Sequence, residues 1–113
     1  MRTIENIGAQ GDVLFRRVER LPDGAKEMKW RKGEEIVVAH SETGHHHVAR
    51  GERIAMHGVD DPMICYLSVR EPYAEIVHLR NFDTHETIRL SPGIFEVRRQ
   101  REHTPEGWRR VED

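Results

Sequence analysis

The chain has 113 residues, 36% hydrophobic and 34% charged, with a formal net charge of −2. That length fits one domain that buries a core without staples, and the acidic balance argues against a dedicated nucleic-acid binder. Residues Met1 to Gln10 lack the apolar stretch of a signal peptide, no apolar run suffices to span a membrane, and the lone Cys65 cannot form an internal disulfide. The expectation is a cytoplasmic protein in a reducing compartment.

Short strand-like runs alternate with turn signals. Asp12 to Val18 reads as a strand after Gly11, and Leu21-Pro22-Asp23-Gly24 as a turn in which Pro fixes φ and Gly tolerates positive φ. Ala25 to Lys32 fits either a helical turn or a polar strand. Glu34 to His40 reads as a strand with Ile36 and Val38 on one face. After the turn Ser41 to Gly44, His45 to Ala49 reads as a strand ended by Gly51, and Arg53 to His57 as another. Met63 to Val69 is apolar on both faces, which predicts a central strand. Ala74 to Leu79 follows the break at Glu71-Pro72, and Arg80 to His85 reads as a loop. Thr87 to Leu90 is a short strand before the turn Ser91-Pro92-Gly93. Ile94 to Gln100 alternates as a strand, and Trp108 to Val111 closes the chain as a strand or short helix. Eight or nine short strands at this spacing predict an all-β, single-domain barrel or sandwich of short antiparallel strands over residues 1–113.

Eight histidines in so short a chain is the compositional oddity: His40, His45, His46, His47, His57, His78, His85 and His103. On a strand, side chains alternate, so His45 and His47 share a face and His46 takes the other. Two imidazoles so placed suit one ion, with zinc, iron, manganese or nickel as candidates. His78 or His85 would complete a three-ligand site with an open position. Glu52, past a glycine, is the candidate fourth ligand or water-activating base. The competing reading makes these histidines hydrogen-bonding residues of a strand, and His40, His46, His57 and His103 default to the surface.

Several stretches resemble a small uncharacterised family of bacteria and their phages. They are Gly11 to Leu14, Thr43-Gly44-His45-His46-His47, Leu90 to Gly93, and Gln100-Arg101-Glu102 followed by Pro105, Arg109 or Arg110, Val111 and Asp113. The resemblance spans nearly the whole chain and implies a Thr-Gly-His-x-His site, without naming a reaction. The chain departs from the family in two places: His103 stands where the family has Tyr, and His78 and His85 lie further apart than the family's His-x-x-His. A second resemblance is to cupins. Gly44, His45, His47, Glu52 and Gly58 look like a compressed version of their first motif, which implies a cupin-like barrel with a histidine-ligated metal.

Other chemistry finds less support. Cys65 sits in an apolar run and reads as a buried, inert thiol. Ser41 and Ser68 lack a nucleophile-elbow setting, and no phosphate-cradling glycine loop is present. Asp12 and Glu19 have no visible partner for acid–base work. Arg98, Arg99, Arg101, Arg109 and Arg110 are interleaved with Glu96, Glu102, Glu106 and Glu112, which reads as a solvated face more than a nucleic-acid surface. The sequence therefore favours a metal-binding protein acting on an unknown small molecule. A non-enzymatic, oligomeric binding or assembly module is the alternative, and nucleic-acid binding is third.

Overall fold

The computed structural model describes residues 1–32, 34–40, 46–79, 86–104 and 107–110, without the side chains of 101–110. Thirteen strands occur among them. They are β1 (Arg2–Ile4), β2 (Ile7–Gln10), β3 (Val13–Val18), β4 (Lys26–Glu27), β5 (Ile36–Ala39), β6 (His47–Arg50) and β7 (Ile54–Gly58). They continue with β8 (Ile64–Val69), β9 (Ala74–His78), β10 (Ile88–Leu90), β11 (Gly93–Arg99), β12 (Arg101–Thr104) and β13 (Gly107–Arg110).

Period-2 patterning explains why these segments are strands. β8 alternates half-buried and buried residues, with Cys65, Leu67 and Val69 turned inward, and β9 does the same with Ala74, Ile76 and His78. Two sheets result. One has the order β1-β10-β9-β6-β5 and the other β2-β3-β11-β8-β7-β4, while β12 and β13 pair as a separate hairpin. Neighbours are antiparallel, with one exception: β1 runs parallel to β10 before the chain crosses into β2 of the other sheet. The expected barrel or sandwich is a sandwich, since each sheet keeps open edges among the described residues.

The core lies between the sheets. Phe15, Leu67, Phe95 and Val97 of one sheet and Ile76, Ile88 and Leu90 of the other are at most 1% exposed. Each large apolar side chain so buried contributes about 1.5–3 kcal/mol over an exposed one. As Met63 to Val69 predicted, β8 is an interior strand, flanked by β11 and β7.

One stretch adds to expectation and two open readings resolve as strands. β1 and β2 lie in a stretch to which the sequence reading assigns no element, and Ile4 is the one fully buried hydrophobic residue it supplies. The ambiguous run after Gly24 yields the exposed two-residue β4, which pairs with β7. The chain end forms the hairpin β12–β13.

Connectivity gathers one end of the sandwich around a few segments. The β2–β3 turn, the end of β5, the start of β6, the β7–β8 turn, the end of β9 and the end of β11 all meet there. The β2–β3 turn is the two-residue Gly11-Asp12, and Gly11 takes φ +59°, a left-handed conformation that such tight turns need.

Candidate histidine site

His47 begins β6 and His78 ends β9, and the two are direct cross-strand partners. Cross-strand partners share a face, here the inward one. Both are almost fully buried, at 1% and 2% exposed. Their rings stack in parallel, with centroids 4.1 Å apart and planes 6° from coplanar. Beyond the strand end, the Leu79 amide donates to the His46 carbonyl at 2.8 Å and extends the pairing by one step.

The other sheet reaches across to this pair through the β2–β3 turn. Gln10, 3% exposed, donates its Nε2 to the carbonyls of Ile76 at 3.0 Å and Glu86 at 2.9 Å. Those two acceptors fix the orientation of the amide, so Oε1 is the atom that faces His47. His47 Nδ1 lies 2.8 Å from it and must donate. In the neutral ring Nε2 then carries the lone pair, and in the protonated ring it is a second donor. Asp12, 7% exposed, places Oδ1 3.7 Å from that Nε2.

Two ligand atoms each about 2.0–2.2 Å from a zinc ion, at a tetrahedral angle, lie about 3.4 Å apart. The Nε2–Oδ1 spacing is within a few tenths of an ångström of that. A histidine ligand whose other ring nitrogen is held by an acceptor is the usual arrangement at metal sites. Among the described residues, no three His, Cys, Asp or Glu side chains cluster into a complete metal-binding group.

The predicted residues fare differently. His47 and His78 are brought together. His45 and His85 lie outside the described residues. Glu52, expected as a ligand or base, is exposed in the turn after β6. It lies past the end of β6, which runs about 10 Å from His47 to Arg50 at about 3.3 Å per residue, away from the histidine end of the sandwich. The compressed spacing of the cupin-like motif spans a whole strand here, and so carries the carboxylate away. Gln10 and Asp12, from the other sheet, are the polar side chains that lie beside His47. Their only signal is Gly11, which marks the turn that holds both against His47.

Three further histidines make contacts of their own. His40 and His46 meet edge to face, with ring centroids 5.0 Å apart. His57, though only 9% exposed, faces the outer side of β7, where its Nε2 lies 3.2 Å from the Ser68 hydroxyl. The Cys65 thiol is buried and directed at the Val38 carbonyl, and burial pushes its pKa up to about 12. It is the inert thiol its apolar context predicts.

On the outer face of the second sheet, Glu96 accepts from Arg16, Arg98 and Tyr66 at 3.2–3.3 Å. Burial alone would raise this carboxyl. The hydrogen bond and charge of Arg98, the charge of Arg16 and the Tyr66 hydroxyl outweigh it and hold the pKa below the ordinary value. Arg98 is thus committed to Glu96, and Arg99 donates to the His40 carbonyl. The hairpin register sets Glu102 opposite Arg109. The same register sets Arg101 opposite Arg110.

A family model described as a domain of unknown function, DUF8820, matches residues 9–100. The chain belongs to the DUF8820 family. The matched span runs from β2 to the end of β11, so Gln10, Asp12, His47 and His78 all belong to the DUF8820 domain. No curated protein and no solved structure gives a significant match.

Proposed function

We propose that the protein binds one divalent metal ion at the histidine end of the sandwich, with His47 Nε2 and Asp12 as ligands. His78, stacked face to face on His47, is the third candidate from within the described residues and would join only by turning its ring, because parallel rings point their lone pairs alongside each other. His45 and His85, next to β6 and following β9 in sequence, are the further candidates. The observation that carries the reading is the position of His47 Nε2 beside an Asp12 carboxylate oxygen at a metal-compatible spacing, with Nδ1 held by Gln10. Imidazole with carboxylate suits zinc, iron, manganese or nickel. A site of this kind with an open position polarises a carbonyl or lowers the pKa of bound water, which is how it would act on a small molecule.

The test is elemental analysis of untagged protein purified without metal resin or chelator. Near-stoichiometric metal is expected in the wild type. His47→Ala and Asp12→Asn should lose it while near-UV circular dichroism stays native, and His78→Ala, His45→Ala and His85→Ala assign the remaining ligands. A wild type that takes up no metal after reconstitution with zinc, iron, manganese and nickel would overturn the reading.

The stacked rings and the three hydrogen bonds of Gln10 favour a second reading, in which the pair is a buried polar clasp of a binding module. On that reading His47→Ala lowers the melting temperature equally with and without metal.

A further inference from the structure

A cavity of about 240 Å³ lies where the edge strand β5 of one sheet faces β7 and β8 of the other. Its floor includes Val38, Ala39, Met56 and Cys65, all buried, and its rim includes Met28, His40, Asp61 and Pro62, all exposed.

The lining is rich in sulfur. Three of the chain's four methionines, Met28, Met56 and Met63, contribute to it together with Cys65. Register explains the convergence. The Met28 amide donates to the Met56 carbonyl at 2.8 Å, which sets the two residues side by side on adjacent segments. Gly58 lies two residues after Met56, on the same face of β7, and pairs with Cys65 of β8. A Cβ at Gly58 would meet only the Met28 side chain within 4 Å, with Sδ at 3.6 Å. The missing side chain thus leaves room beside the Met28 thioether.

The two formal charges of the lining are opposite in sign and already engaged. Asp61 Oδ1 accepts from the Met63 amide at 2.8 Å, and Arg99 donates to the His40 carbonyl. Trp30 Nε1 is sealed from the cavity as well as from solvent, so what Trp30 adds to the wall is carbon.

We infer that this cavity binds an uncharged aromatic compound of one or two rings. An apolar cavity of about 150 Å³ holds benzene, and the larger space here suits a substituted ring or a fused pair. Thioether sulfur makes favourable contacts with aromatic rings, and the three rotatable bonds of each methionine let the wall close on its guest. A charged occupant would give up water without gaining a counter-charge that is not already engaged, so the occupant is neutral. This inference does not rest on the metal site.

The test uses full-length protein carrying 13C in its methionine methyl groups. Each signal is assigned by a single Met→Leu substitution. The probes are 1-naphthol, its saturated counterpart decahydro-1-naphthol, and 1-naphthoate, all at pH 7. Ring currents from 1-naphthol should shift the Met28, Met56 and Met63 methyls saturably. Met1 precedes β1, at the opposite edge of its sheet from β5, and should not move. Decahydro-1-naphthol should bind about twofold to tenfold more weakly, because it loses the sulfur–aromatic contacts. 1-Naphthoate should bind about tenfold or more weakly than 1-naphthol. Gly58→Leu should abolish the shifts, since the added side chain grows into the cavity. Methyls of Met28, Met56 and Met63 that stay unmoved, or that move no more than Met1, overturn the assignment. So does 1-naphthoate or decahydro-1-naphthol binding as tightly as 1-naphthol. These wild-type comparisons decide it even if Gly58→Leu fails to fold.

Discussion

Replacing Gln10 with Leu tests the histidine site through one residue and two readouts. Leu keeps the approximate volume and removes every hydrogen bond of the amide. The His47 ring N–H loses its acceptor inside a buried site, at a cost of about 1–3 kcal/mol. The Ile76 and Glu86 carbonyls lose a donor each, at a lower cost, because a carbonyl has a second lone pair and Glu86 lies at an exposed position. The sum is roughly 2–4 kcal/mol, a large share of the roughly 5–15 kcal/mol typical of a domain. Urea denaturation should show a lowered midpoint with an unchanged slope. Freed from its acceptor, His47 should also hold metal about 10–100-fold more weakly. Gln10→Glu keeps an acceptor for the ring N–H but loses both donors, so it separates the two effects. It should lose stability and retain metal. A loss below about 1 kcal/mol in Gln10→Leu would refute the clasp between the sheets. Unchanged metal affinity in a folded Gln10→Leu protein would refute the role of Gln10 in orienting a ligand.

Cys65 and Glu96 give opposite dependences on pH. The folded thiol is raised to about 12, above its unfolded value, so its contribution is intact below about pH 9 and is lost as the pH climbs toward 12. Cys65→Ala should therefore flatten the alkaline stability curve by one proton, about 1.4 kcal/mol per pH unit, in denaturant titrations across that window. Equal slopes in the two proteins would show that the thiol is not buried. The Glu96 carboxyl is depressed, so its contribution is present above the ordinary carboxylate pKa of about 4.3 and fades as the pH falls below it. Glu96→Gln should be less stable than the wild type at pH 7, with thermal melts converging in acid. A constant gap at all pH values would contradict the charge network with Arg16 and Arg98.

Most of the sandwich is legible in the sequence, because period-2 alternation and turn residues are local signals. Asp12 to Val18, Met63 to Val69, Ala74 to Leu79 and Ile94 to Gln100 each match a strand to within a residue or two. β1 was not legible. It is held by parallel pairing with β10, more than eighty residues away in sequence, and no local pattern encodes such a partner. The same logic divides the site. His47 stands out because its motif is local. His78 stands out as a histidine on a strand, while its pairing with His47 is a fact of sheet register. Gln10 and Asp12 act from the other sheet, and only the sandwich brings them within reach. Glu52 was misleading because proximity in sequence along an extended strand is distance in space.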